Sequence, residues 1–250
     1  MKIVIIGGTG LIGSQVANML KNEHEVIAAS PNTGVNTITG EGLEEAIKNA
    51  NVVIDVSNSP SFDDGPVMDF FKTSNQNLLP VEKRAGVQHH IALSVVGTDK
   101  LQDSGYFRAK QIQENLIKES GIPFTIVHAT QFFEFAGGIV AMSTSEGKVK
   151  LSDAFIQPIA SADVATFLVK VAIETPANKI LEIGGPEQFR IDKWIKQYLS
   201  STEKTLEIET NSNAPYSGVV LERKTLIPQN PVYIGTNEYK NWIAKPENKR

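Results

Sequence analysis

The stretch Lys2-Ile3-Val4-Ile5-Ile6-Gly7-Gly8-Thr9-Gly10-Leu11-Ile12-Gly13 decides the fold of this 250-residue chain. The run Ile3 to Ile6 is apolar and rich in β-branched residues, as a buried strand requires. Leu11, Ile12, Val16, Met19 and Leu20 follow at helical spacing. A second apolar run, Val26-Ile27-Ala28-Ala29, closes at Ser30-Pro31. The order is strand, glycine turn, helix, strand: one βαβ unit.

The glycines in that turn have separable duties. Gly7 turns the chain tightly out of the strand. Gly10 lets backbone approach a pyrophosphate. Gly13 lets the helix lie close on the sheet. The free N–H groups and positive end of the helix then face phosphate. Gly7, Thr9, Gly10, Leu11, Ile12 and Gly13 are therefore expected to bind a dinucleotide cofactor.

The same alternation continues outward. Val35 to Thr39 reads as a short β-prone piece and Gly40 to Asn49 as a short helix. Val52 to Val56 reads as a strand, and the second crossover helix looks missing or collapsed into 31–35. Val67 to Lys83 is helical in pattern, with a break expected at Pro80. Val87 to Val96 reads as a strand with Ser94 at its end, Tyr106 to Ser120 as a helix, and Ile122 to His128 as a strand. Strands joined by such crossovers are parallel, so the expected fold is a Rossmann-type, doubly wound α/β sheet. Beyond His128 come helices at 136–145, 160–175 and 192–199 and a strand at 180–183, the 160–175 helix opening on a Ser or Asp cap. A single domain over 1–250 is expected, with about 130–160 and 185–250 forming a small, less regular lobe on the substrate side.

Bulk properties narrow the function. Hydrophobic content of 41% and charged content of 21% are those of an ordinary folded protein. A net charge of −4 without a basic stripe argues against nucleic acid as a partner. With no cysteine there is no disulfide, thiol nucleophile or thiolate metal site, and no metal is expected. No stretch reads as a signal peptide or a membrane span, which suits a cytoplasmic protein, monomeric or homodimeric, acting on a small molecule.

In an open α/β sheet the ligand lies outside the carboxyl ends of the strands. Here those ends carry the glycine turn, Ser30, Ser57-Asn58, Ser94, and His128 to Gln131. Beside them, Tyr106 and Lys110 are four apart and share a helix face. A lysine ammonium favours the phenolate and lowers the pKa of a tyrosine. Ser94 is placed to hold a carbonyl oxygen against that phenol. With a nicotinamide at the same strand ends, the set would pass a hydride to carbon and a proton from Tyr106 to oxygen. A solvated helix face is the alternative reading of Tyr106 and Lys110.

These residues resemble an atypical short-chain dehydrogenase/reductase, close to the NmrA-like NAD(P)-binding group. The resemblance rests on Gly7 to Gly13, Ser94, Tyr106-Phe107-Arg108-Ala109-Lys110, Gly121 to Val127, and Pro158 to Ala165. It covers about 1–190. It implies catalytic roles for Ser94, Tyr106 and Lys110, with Lys110 also on the nicotinamide ribose. It implies that 129–133 pass over the nicotinamide, which brings Ala129 and Thr130 to the cofactor and Gln131, Phe132 and Phe133 to the substrate. Relatives often carry Arg where this chain has His128, a position read here as structural.

The second strand ends in Ser30, Pro31 and Asn32 with no carboxylate to repel a 2′-phosphate, so Ser30 and Asn32 are expected at the adenosine ribose and NADP(H) is favoured over NAD(H). Phe132, Phe133, Phe135, Met142 and Phe155 suggest an apolar wall for a ketone, aldehyde or quinone. The alternative functions are an NAD(P)-binding redox sensor of the NmrA type without catalysis, and a nucleotide-sugar epimerase or dehydratase.

Overall fold

The computed structural model describes residues 1–249. The first half runs β1 (Lys2–Ile6), α1 (Leu11–Leu20), β2 (Glu25–Ala29), α2 (Leu43–Ile47), β3 (Val52–Asp55), α3 (Asp64–Ala85), β4 (His89–Val95), α4 (Gly105–Glu119) and β5 (Phe124–Ala129). Next come α5 (Ala136–Ser143), β6 (Thr144–Ser145), β7 (Lys148–Leu151), β8 (Phe155–Ile156), α6 (Ser161–Ile173) and β9 (Lys179–Gly184). The chain ends with β10 (Phe189–Arg190), α7 (Ile191–Ser201), β11 (Glu207–Thr210), β12 (Pro215–Tyr216), β13 (Val219–Val220), β14 (Pro231–Ile234) and α8 (Tyr239–Ile243).

Seven strands form the central sheet in the order β14-β9-β5-β4-β3-β1-β2, every pair parallel. Period-two alternation divides β1: Ile3 and Ile5 pack with α1 and α6 on one face, Val4 and Ile6 with α2 and α3 on the other. The chain goes from β1 to β2 on one side and returns through α2 to β3 on the other. The order therefore reverses between β1 and β3, where such sheets open a crevice at their carboxyl ends.

Several details differ from the sequence reading. Residues 35–39 are not a strand: 37–39 form a turn, and the Asn36 side chain accepts from the Ile38 N–H at 2.9 Å and curls the backbone. The second crossover helix is present as the five-residue α2. Pro80 does not break α3, which runs through it for 22 residues. No Ser or Asp caps α6: Ala160 is its N-cap, and the Ser161 N–H and hydroxyl both donate to the Glu134 carboxylate. Asp163 instead accepts from the N–H and side-chain amide of Asn237 and ties the C-terminal region to α6. Residues 231–234 belong to the central sheet as edge strand β14 rather than to a separate lobe.

A third apolar cluster lies off the carboxyl end of the sheet. It joins Phe107 and Phe133 to Trp194, Tyr198, Leu226 and Tyr239, with the small sheets β11-β7-β6, β10-β8 and β12-β13 around it. This cluster is the core of the smaller lobe.

Candidate active site

At the crevice's first end, backbone does the work. Gly7 has φ +78°, and a Cβ there would lie 2.9 Å from the backbone of Ser57 at the end of β3. A Cβ on Gly13 would overlap the Gly7 carbonyl oxygen and come within 2.7 Å of the Gly8 Cα. Gly8, to which the sequence reading gave no separate role, is as tightly held, its Cβ position 2.6 Å from the Ala28 Cα. Gly10 differs: it is exposed, and its Cβ would meet only the Gly7 carbonyl oxygen, at 3.2 Å. The fold presses on Gly7, Gly8 and Gly13 from behind, whereas Gly10 faces outward.

Gly10 is also the N-cap of α1, with no side-chain cap, and the first intrahelical bond runs from Ser14 N–H to Gly10 O at 3.0 Å. The N–H groups of Leu11, Ile12 and Gly13 therefore point out of the helix end beside the exposed Thr9. A bare helix N-terminus behind a glycine-rich turn fits a pyrophosphate.

The neighbouring strand ends are less open than expected. The Ser30 N–H donates to the Thr33 hydroxyl at 2.9 Å, and that hydroxyl donates to the Ala28 carbonyl at 2.9 Å. Ser30 is buried in this reciprocal cap, while Asn32 is exposed at the end of β2. Ser57 is likewise turned inward, its N–H and hydroxyl both on Asp55 Oδ1 at 3.0 and 2.6 Å, while Asn58 stays exposed.

At the other end the expected Ser, Tyr and Lys do not converge. Ser94, 2% exposed, gives its hydroxyl proton to Glu114 Oε1 at 2.7 Å. His128, opposite Ser94 in the register of β4 and β5, binds the same oxygen through Nε2 at 2.7 Å. Burial alone would raise the Glu114 carboxyl; the His128 and Ser94 bonds hold it below the usual carboxylate range. The reason for Ser94's departure is strand alternation. Ala92 and Ser94 face α4, whereas Val95, one residue on, packs with Tyr106 against the lobe cluster. The position next in line for a hydroxyl on the Tyr106 side holds valine.

Lys110 is fully buried. Its ammonium donates to the Leu93 carbonyl at 2.9 Å and to Gln113, and it lies 4.4 Å above the centre of the Phe71 ring. Gln113 in turn donates to Asp55 Oδ2 at 2.9 Å. Burial pushes Lys110 down to about 8, against the opposing charges of Asp55 and Glu114. Tyr106 sits one turn above, its ring 5.5 Å from Phe62 and Phe107 and 6.1 Å from Phe71. In that apolar setting burial pushes its phenol up, not down. The expected lowering by Lys110 is absent: burial is the cause of the shift, and the ammonium is directed at Leu93 and Gln113.

Past β5, the Thr130 hydroxyl is tied to the Gln157 carbonyl at 2.6 Å, and Ala129 is buried in the sheet core. Phe133 is no pocket wall: it is 1% exposed and packs edge-on to Tyr239 in the lobe core. Phe132 is buried too and stacks on the half-exposed Phe135. Gln131 is buried as well. Tyr216, on the β12–β13 hairpin, is a neighbour the sequence reading missed. Burial raises its phenol first, then the nearby Tyr106 phenol, while the Gln131 amide eases its ionisation. The dipeptide Ser217-Gly218, at φ +49° and +84°, is the hairpin signal that would have found it.

A family model described as NAD(P)H-binding matches residues 7–175, from the glycine turn through α6. The chain belongs to the NAD(P)H-binding family. It is 24% identical over 204 residues to the photosystem II assembly factor Ycf39 of Cyanophora paradoxa, a match that takes in 74% of this chain and 64% of that protein. It is also 24% identical over 202 residues to a (4-alkanoyl-5-oxo-2,5-dihydrofuran-3-yl)methyl phosphate reductase of Streptomyces griseus, over 74% of this chain and 68% of that one. The chain thus spans less than two-thirds of the length of its Ycf39 relatives, at 64% and 63%. Among solved structures it resembles the Bordetella bronchiseptica enzyme WbmH in complex with NAD+, with a TM-score of 0.71, 14% identity, and 97% and 96% of the two chains covered. The fold is the one NAD(P)-dependent reductases and epimerases share, and the residues of the glycine turn fit the cofactor that the family name implies. Among the described residues, no helix is long and apolar enough to cross a membrane, and no cluster of three metal-ligating side chains occurs.

Proposed function

We propose that this chain is an NAD(P)H-dependent reductase of small, uncharged carbonyl or quinone compounds, with NADP(H) as the preferred cofactor and Tyr106 as the proton donor. The observation that carries this reading is the Tyr106 phenol, packed against the rings of Phe62, Phe71 and Phe107 on the first turn of α4, beside the carboxyl end of β4. Bound NAD(P)H supplies a hydride. Gly7, Gly10 and the N-terminus of α1 hold its pyrophosphate, and Asn32 meets the adenosine ribose. No carboxylate lies in 28–36 to repel a 2′-phosphate.

A phenol pushed up by burial is fully protonated near neutral pH, the form a donor needs. Tyr106 would hold its proton ready for the oxygen of a substrate carbonyl, which becomes a stronger base than the phenolate once the carbon is reduced. Lys110 serves from below, holding the Leu93 carbonyl and Gln113 and so fixing α4 on β4. An uncharged substrate is favoured because Lys148 and Lys150, the cations between 128 and 160, are paired with Glu207 and Glu146.

One observation favours the alternative of an NAD(P)-binding regulator: Ser94 is bonded away from Tyr106. Titration with NADPH and NADH, followed by NADPH oxidation over a panel of ketones, aldehydes and quinones, separates the two. The reductase reading expects tighter NADPH binding and turnover on an apolar member of the panel. Tight binding with no turnover on any member contradicts it and supports the regulator.

A further inference from the structure

Glu134 lies in the short helical turn Phe133–Phe135, which leads from β5 towards the lobe. Phe133 packs against Tyr239 and Trp242 in the lobe core, and Phe135 stacks on Phe132. Glu134 reaches instead to α6. Its Oε1 accepts the Ser161 hydroxyl proton at 2.5 Å, and its two carboxylate oxygens share the Ser161 N–H at 3.3 and 3.2 Å. Burial raises the Glu134 carboxyl above the usual carboxylate range, against the opposing pull of the Ser161 bonds.

The bonds do not stop at Ser161. Its oxygen, having given its proton to Glu134, accepts from Gln15 Nε2 at 2.9 Å. Gln15 lies in α1, and the same nitrogen donates to the Leu11 carbonyl at 2.8 Å. An amide nitrogen carries two hydrogens and a hydroxyl one, so every side-chain hydrogen in this bridge has an acceptor of its own. Leu11 is the first residue of α1, and its N–H is one of the uncapped donors beside the glycine turn. Ile12 and Val16 share an apolar cluster with Val164 and Leu168, which holds α1 beside α6 and keeps the bridge short. The bridge thus runs from the turn between β5 and the lobe to the helix end behind the glycines.

We infer that Glu134 is a positioning residue which, through Ser161 and Gln15, fastens the substrate-side segment 131–136 to the first turn of α1, so that phosphate bound at the glycine turn steadies that segment. The inference rests on the reading of the glycine turn as the pyrophosphate site. Its physical cause is fraying. The first turn of a helix opens more readily than its middle, because its N–H groups lack partners within the helix. A phosphate that accepts from those groups holds the turn closed. The Leu11 carbonyl then stays in place for Gln15, Gln15 for Ser161, and Ser161 for Glu134. Ordering one end of the bridge lowers the cost of ordering the other. The substrate side is thereby completed once the cofactor is in place.

The test is hydrogen exchange of 131–136 in the full chain, with and without ADP or its 2′-phosphate ester, binding being measured alongside by calorimetry. These fragments carry the pyrophosphate and lack the nicotinamide half, so protection of 131–136 cannot come from contact with a nicotinamide. The N–H groups of Phe133 and Phe135, bonded to the Ile159 and Phe132 carbonyls, are the probes. In wild type a bound fragment is expected to slow their exchange by about fivefold or more. In Ser161→Ala and in Gln15→Met, each of which cuts the bridge, the fragment is expected to bind and to slow exchange by less than about twofold. Gln15 is half-buried, so the second variant decides alone if the first does not fold. A bridge that only supports the fold raises exchange equally with and without fragment; slowing that persists undiminished in Gln15→Met, or in a folded Ser161→Ala, overturns the inference. A fragment that binds wild type and leaves 131–136 unprotected also overturns it, and the glycine-turn reading stands. If neither fragment binds, the glycine-turn reading fails and the inference falls with it.

Discussion

The two ends of the crevice are built on different principles. At the end formed by β1 and α1, the geometry belongs to the backbone: a left-handed Gly7, a glycine pressed against the turn at Gly13, and helix N–H groups without a cap. At the end formed by β4, α4 and the lobe, it belongs to side chains, most of which already have partners. Ser94 and His128 are on Glu114, and Lys110 is on Leu93 and Gln113. A backbone site needs little rearrangement to receive its ligand. The side-chain site leaves Tyr106 as the group of the expected three that is not spent on a hydrogen bond within the fold.

The sharpest way to break this contrast is to fill the glycines one at a time. Gly13→Val forces a side chain into the Gly7 carbonyl and is expected to cost about 3 kcal/mol or more, read by urea unfolding. Gly10→Val meets far less resistance. Its expected stability loss is within about 1 kcal/mol, while NADPH affinity falls more than about tenfold because the side chain occupies the pyrophosphate's path. Equal stability losses for the two variants would mean that Gly10 serves the fold, not the ligand.

A smaller effect probes the other end. Burial lowers Lys110 from 10.5 to about 8. Below pH 8 the folded and unfolded chains both carry the charge, and the folded state bears the full burial penalty. Above pH 10.5 neither carries it, and the penalty is gone. Wild type is therefore expected to gain stability relative to Lys110→Met as pH rises from about 8 to about 10.5. Denaturant midpoints at several pH values across that window measure this, and a constant difference between the two proteins would contradict the buried, charged Lys110.

The contrast also explains what could be read in advance. The glycine turn, the alternating strands and helices, and the parallel sheet were legible because each depends on local backbone rules: β-branched runs, helical spacing, glycine where the chain turns. Ser94 was not. A strand's period is two, so a shift of one residue decides whether a hydroxyl faces Tyr106 or Glu114, and no local pattern fixes that choice. Glu114 carries no sequence signal of its own. Its role comes from the register of α4 against β4 and β5. Phe133 read as a pocket wall and is lobe core, because the aromatic partners Tyr239 and Trp242 lie more than one hundred residues away in sequence. Pro80 within α3 and the β14 edge strand were hidden for the same reason: tertiary packing, not local propensity, sustains them.

The most direct test of the account compares Tyr106→Phe with Ser94→Ala in single-turnover NADPH oxidation, with NADPH binding measured alongside. The account predicts that Tyr106→Phe keeps cofactor affinity and loses about 100-fold or more in rate, while Ser94→Ala stays within about threefold of wild type and loses about 1 kcal/mol of stability. If Ser94→Ala falls as far as Tyr106→Phe, the serine hydroxyl must leave Glu114 to join the reaction, and the account is wrong at that end of the crevice.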